Sequence, residues 1–156
     1  MGLLIGAGVL LVCVLAAWMV LRRPVRQIVE EVHVDHAREL FHQQREWLEA
    51  RFISALSHDD PAEGHRWESA HWHDEVLLAR DRQTRHLLAL VCVHFEPVPF
   101  DLLQLPRHAT ALFEFRKGRW HVEGKRLDEI RPAEAVGRNQ PYEAVSISPP
   151  HPRRVG

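Results

Sequence analysis

Cysteine is nearly missing from this chain: two residues in 156, Cys13 and Cys92. One lies in an apolar run and the other in a stretch of strand-like pattern, so a disulfide framework is excluded. Net charge is missing as well, since 20 basic side chains stand against 21 acidic ones. That balance excludes the net basic face a nucleic-acid binder needs, and it excludes a disordered acidic or basic tail protein. There is no glycine-rich phosphate loop, no nucleophile elbow, no paired-carboxylate signature, no Cys-x-x-Cys and no His-Glu-x-x-His. The sequence motifs that would announce phosphoryl transfer, acyl transfer or a metalloprotease are therefore lacking.

Charge of either sign is also absent from Met1 to Leu21, a run of Leu, Val, Ala and Ile with Gly2, Gly6 and Gly8. As a helix, the twenty residues from Gly2 to Leu21 reach about 30 Å at ~1.5 Å per residue, the hydrocarbon thickness of a bilayer. Trp18 falls near the far end, where an indole prefers the headgroup region. No Lys or Arg precedes the run and Val14-Leu15-Ala16 is a poor cleavage site, which argues for an anchor over a removed signal peptide. Gly2 lacks the following Ser or Thr of a myristoylation site. Arg22, Arg23 and Arg26 follow the span directly, and basic flanks stay on the cytoplasmic side. Segment 1–23 is thus expected to be a single-pass transmembrane anchor, with the bilayer its first partner and the rest of the chain facing the cytoplasm.

Pro24 stops or bends that helix and suits the first turn of another. Over 24–58, Val25, Ile28, Val29, Val32, Ala37, Leu40, Phe41, Trp47, Leu48, Phe52, Ala55 and Leu56 recur at helical spacing. A coiled-coil seam breaks after Val32, where His36 and Glu39 take the apolar positions, so this reads as a long helix packed on the domain body. From 59 to 145 the period changes to two. After a loop at Asp59-Asp60-Pro61-Ala62-Glu63-Gly64, strands are expected over His71–Arg80, Arg85–Val98 and His108–Arg116. The second is apolar enough to be central and buried on both faces. Pro97, Pro99 and Pro106 mark a long connection whose Phe100, Leu102, Leu103 and Leu105 should cap the core. Lys117-Gly118 supplies a hairpin turn, after which Trp120 and Val122 continue the apolar face. Ala133 to Val136 has the length of one helical turn, and 146–156 is expected to be a disordered, proline-rich tail. The fold class expected is α+β: a transmembrane helix, then a long helix packed on an antiparallel meander of about four strands.

A helix facing a meander that ends in Phe113-x-Phe115-x-x-Gly118-x-Trp120-x-Val122 resembles the cystatin-like and NTF2-like α+β folds, over roughly ninety residues. The order of parts is also similar to that of uncharacterised small bacterial membrane-anchored proteins, around Arg80-Asp81-Arg82-Gln83-Thr84 and Gly118-x-Trp120. The resemblance implies a curved sheet around a helix. It carries no catalytic residue onto this chain.

Histidine is the residue in excess, with twelve copies. His71 and His73 point to the same side of a strand and are the candidate metal ligands, with His58, Asp59, Asp60 and His65 as further donors from the preceding loop. Glu30, His33 and His36 share a helical face, but no second Glu-x-x-His copy completes a carboxylate-bridged site. Cys92 and His94 share a strand face, and the apolar run around them reads as packing around an inert thiol. No cofactor is indicated. The function expected is a membrane-tethered, non-enzymatic interaction or scaffold domain with a protein partner; the alternative is a small-ligand-binding or metal-dependent enzyme working on the concave face of the sheet. If residues 2–21 span the bilayer, the protein will pellet with membranes after carbonate or high-salt washing, because burial rather than charge holds it. Its C terminus will resist protease added to intact cells; release of the intact chain by carbonate would refute the anchor.

Overall fold

The computed structural model of the protein describes residues 33–96 and 106–145. The expected anchor at 1–23, the start of the long helix, the apolar connection at 97–105 and the tail at 146–156 lie outside the described residues. No helix among the described residues is long and apolar enough to cross a membrane. Two compact units divide the chain, Met1–His36 and Ala37–Gly156. The first contributes only one helical turn to the described residues, and the second is the α+β body.

Helix α1 runs through 33–59. In the body its stripe is Ala37, Phe41, Leu48, Phe52 and Leu56, all buried, at the spacing that puts them on one helical face. Asp60 ends the helix by turning extended, and its carboxylate accepts from the amides of Ala62 (2.9 Å) and Glu63. Pro61, with no donor to lose, then opens α2 (Pro61–Glu68). The segment expected as a loop is therefore the capped start of a second helix. α2 lies so close to α1 that a Cβ on Gly64 would stand 2.8 Å from the Ser57 Cα.

Among the described residues, six strands form one antiparallel sheet: β1 (His71–Asp81), β2 (Leu87–His94), β3 (His108–Arg116), β4 (Arg119–His121), β5 (Arg126–Asp128) and β6 (Tyr142–Ala144). The order is β4-β3-β2-β1-β6, with β5 also paired to β3. The expected meander is β1 to β4. β5 and β6 add to it, and at three residues each they are too short to show a period in sequence. Lys117 and Gly118 both take positive φ, 51° and 76°, as a two-residue hairpin loop requires.

Register assigns the faces. Leu87 opposite Phe115, Ala89 opposite Phe113, Val91 opposite Ala111 and Val93 opposite Ala109 form one face, and the helices cover it. There Phe113 packs edge-on to Phe41 (5.2 Å between ring centroids) and at 5.5 Å from Phe52. Trp120 packs against Phe41 at 5.1 Å and donates its indole N–H to the Ala37 carbonyl at 2.9 Å. Trp67 of α2 is fully buried between Phe52 and Phe95. The opposite face carries Leu88, Leu90 and Leu112 with Ala79, closed over by Ala135 and flanked by Val136 and Tyr142. Thus β2 is buried on both sides, as its apolar run suggested, and the second cover comes from α3 (Pro132–Ala135) and β6. Val122 lies past the end of β4 and is half-buried.

Replacing Phe113 with Ala removes a ring that is fully enclosed and touches both Phe41 and Phe52, and should cost about 3–5 kcal/mol. Trp120→Ala loses similar area and also removes the indole N–H that bonds the Ala37 carbonyl. Either change should abolish or sharply lower the cooperative melting transition of the full-length protein by near-UV circular dichroism. A shift of only a degree or two would mean this core is wrongly assigned.

Candidate metal centre

On the face opposite the helices, the cover by α3 and β6 does not extend to the last residues of β2. What stands there instead is polar. The ladder sets His71 opposite His94 and His94 opposite His108, and sets Cys92 opposite Thr110. With a period of two, His71, His73, Cys92, His94 and His108 all project from one side of the sheet. Four imidazoles and a thiol from three strands therefore share one end of that face.

The register of β1 against β2 breaks between Trp72 and Val76. Such a break re-aims the side chains within it. The carbonyls of His73 and Asp74, inside the break, accept from the guanidinium of Arg45 on α1, at 2.6 Å for Asp74. Arg45 is held in turn by Glu49 at 2.8 Å. The His73 ring reaches His94 with centroids 4.5 Å apart and a 2.5 Å contact between His73 Nε2 and His94 Nδ1. One donor atom each from His73, Cys92 and His94 lie within 4.8 Å of one another. Around a tetrahedral ion with bonds of about 2.0–2.3 Å, neighbouring donors stand roughly 3.3–3.6 Å apart. The three side chains thus need shifts of only about an ångström to share one ion.

At His94 electrostatics favour the lone pair over a proton. Burial holds His94 below the usual imidazole range, and the positive charge of His73, His108, Arg131 and His71 adds to that. Burial also pushes the Cys92 thiol up, against the opposing pull of Arg131 and the Val93 amide, while Glu134 raises it further. The thiol accordingly keeps its proton until a cation displaces it. Arg131 is brought near by the chain around it. Thr110, the ladder partner of Cys92, donates its hydroxyl to the Ile130 carbonyl at 2.6 Å, and the Arg131 amide donates to Glu134 at 3.0 Å.

Of the two histidines expected as ligands, His73 lies inside the triad. His71 stands beside it, exposed, with its ring 5.4 Å from that of His73. His108 flanks the other side, 6.1 Å from His94. The loop donors do not join them. Asp60 caps α2, and the exposed His65 faces Glu68 at 3.6 Å. His33 and His36 belong to the first unit, and Glu30 lies outside the described residues. Cys92 and His94, not the loop residues, are the donors that stand beside His73. Their shared strand face was visible in sequence, but nothing local signalled that His73 meets them.

A separate recess of about 190 Å³ lies between Asp81, Glu114, His121, Lys125 and Tyr142, over Leu88 and Leu112. Its Glu114 and Glu123 carboxylates are already engaged. Glu114 takes the His86 ring, and Glu123 takes Arg116 and Lys125, both at 2.7 Å. The helix-facing side of the sheet, where a concave-face site was the alternative expectation, is packed with Phe41, Leu48, Phe52 and Trp67.

No family model matches the chain, and no match was found among curated proteins or solved structures.

With a raised pKa and half-buried sulfur, Cys92 should alkylate with iodoacetamide at neutral pH several-fold more slowly in the folded protein than in urea. The measurement needs a Cys13→Ser background. Equal rates folded and unfolded would show that the thiol is not enclosed as described.

Proposed function

We propose that this protein is a transition-metal-binding domain held at a membrane, with His73, Cys92 and His94 as its ligands and residues 2–21 as its anchor. The observation that carries the reading is the convergence of one thiol and two imidazoles, from two strands, within 4.8 Å. A set of two nitrogens and one sulfur suits zinc or copper; magnesium and calcium take oxygen ligands instead. Zinc is the natural occupant because its affinity for mixed thiolate and imidazole sites needs no change of oxidation state. The ion would staple β1 to β2 where the ladder is interrupted. The expected role of the domain in interaction, rather than in chemistry on the concave face, is supported by the packing of that face with aromatic side chains.

Binding only to the folded state adds RT ln(1 + [M]/Kd), about 2.7 kcal/mol when zinc is at a hundred times its Kd. Zinc should therefore raise the melting temperature of the detergent-solubilised protein, and chelator should reverse the rise. Cys92→Ser, His73→Ala and His94→Ala should each abolish the rise, whereas His65→Ala, on α2, should leave it intact. A wild-type melting curve indifferent to zinc would sink the proposal.

A further inference from the structure

Structural zinc sites are almost always tetrahedral, with all four ligands drawn from the protein. His73, Cys92 and His94 supply three. Among the described residues, two further imidazoles stand beside them, and the ladder places the two differently. His71 is the register partner of His94 and precedes His73 by two residues on β1, and its ring centroid stands 5.4 Å from that of His73. It therefore borders two members of the triad, one on its own strand and one across the ladder. His108 lies on β3, the far side of β2, and borders His94 alone, at 6.1 Å between centroids.

The break in β1 gathers four side chains around a common centre. Trp72 pairs with Val93 and Val76 with Val91, so the segment 73–75 stands against Cys92 alone. His71 and His73 on one strand, with His94 and Cys92 on the other, are thus the corners of a block two strands wide on a single face of the sheet. Direct cross-strand neighbours stand about 4.5–5.5 Å apart at Cβ, within the span of two imidazoles that share an ion. His71 is exposed, and exposed side chains change rotamer readily, so its ring can turn toward His94 without unpacking the core.

Resting on the metal reading above, we infer that His71 is the fourth ligand and closes a site of one thiolate and three imidazoles on the β1–β2 hairpin. The consequence is functional. With no coordination position left for water or substrate, the ion is structural and does not act as a Lewis acid. Four protein ligands in tetrahedral array also favour zinc over Cu(II), which prefers a tetragonal set.

The test uses the full-length protein in a Cys13→Ser background, loaded with Co2+ in place of zinc, with azide as the probe for an open position. This parent should show a thiolate-to-cobalt charge-transfer band, and its visible bands should ignore azide. His71→Ala should keep the thiolate band and bind Co2+ more weakly by about tenfold or more, the loss that even an outer-sphere partner causes. Its visible bands should now shift saturably with azide, and added imidazole should fill the vacated position and suppress that response. A merely structural effect of the substitution would produce neither. His108→Ala should match the parent in affinity and in its indifference to azide. Parent bands that shift with azide would overturn the inference, since the fourth position would then be open while the metal reading stood. So would the lack of an azide response in His71→Ala, whether or not His108→Ala acquires one. Absence of the thiolate band in the parent would remove the metal reading itself, and the inference with it.

Discussion

Everything in this body depends on burying β2 from both sides. Five consecutive residues, Leu87 to Val91, are buried, and a strand of that character has no solvent face to offer. It therefore requires two covers. One is the helical layer, whose aromatic side chains meet Phe113. The other is the turn and short strand formed after Arg131, which close Ala135, Val136 and Tyr142 over Leu88, Leu90 and Leu112. The second cover is short. Where it runs out, the inner residues of the strand change from leucine to Cys92 and His94, and the candidate site occupies that boundary.

Arg45 connects the two sides of the sheet. It stands in the apolar stripe of α1, where a hydrocarbon side chain would be expected, and is only 16% exposed. A guanidinium so enclosed must be paired and hydrogen-bonded, since an unpaired buried charge is strongly destabilising. Its partners are Glu49 and the carbonyls of His73 and Asp74. The same contacts that satisfy the charge also satisfy carbonyls within the register break of β1. A helix residue on one face thereby helps fix the strand segment that delivers His73 on the other.

The candidate site arises from an unusual density of imidazoles at one sheet end. His71, His94 and His108 lie abreast because antiparallel partners stand side by side. Burial and the neighbouring positive charge hold His94 below the usual imidazole range, which favours the neutral form in which imidazole coordinates a metal. Arg131 adds positive charge without adding a ligand.

Much of the architecture could be read locally. The stripe Ala37, Phe41, Leu48, Phe52 and Leu56 marked α1, alternation marked β3 over His108–Arg116, and Lys117-Gly118 marked its turn, because each of these patterns repeats within a few residues. The capped start at Asp60-Pro61 also carried a signal, a side-chain acceptor followed by proline, though the same residues read as a loop. β5 and β6 had none, being shorter than any period. Of the candidate triad only His73 was legible as a ligand, through its alternation with His71; the shared strand face of Cys92 and His94 was visible but read as packing around an inert thiol. Which pair faces which was decided only by the tertiary structure. His73 and His94 are 21 residues apart, and their meeting depends on the hairpin register, on the break in β1 and on the grip of Arg45 from α1. Side-chain identity sets what a position is able to bind, and that is written in the sequence. Convergence of donors is set by the ladder and by the packing of a helix on its far face, and no local pattern encodes it.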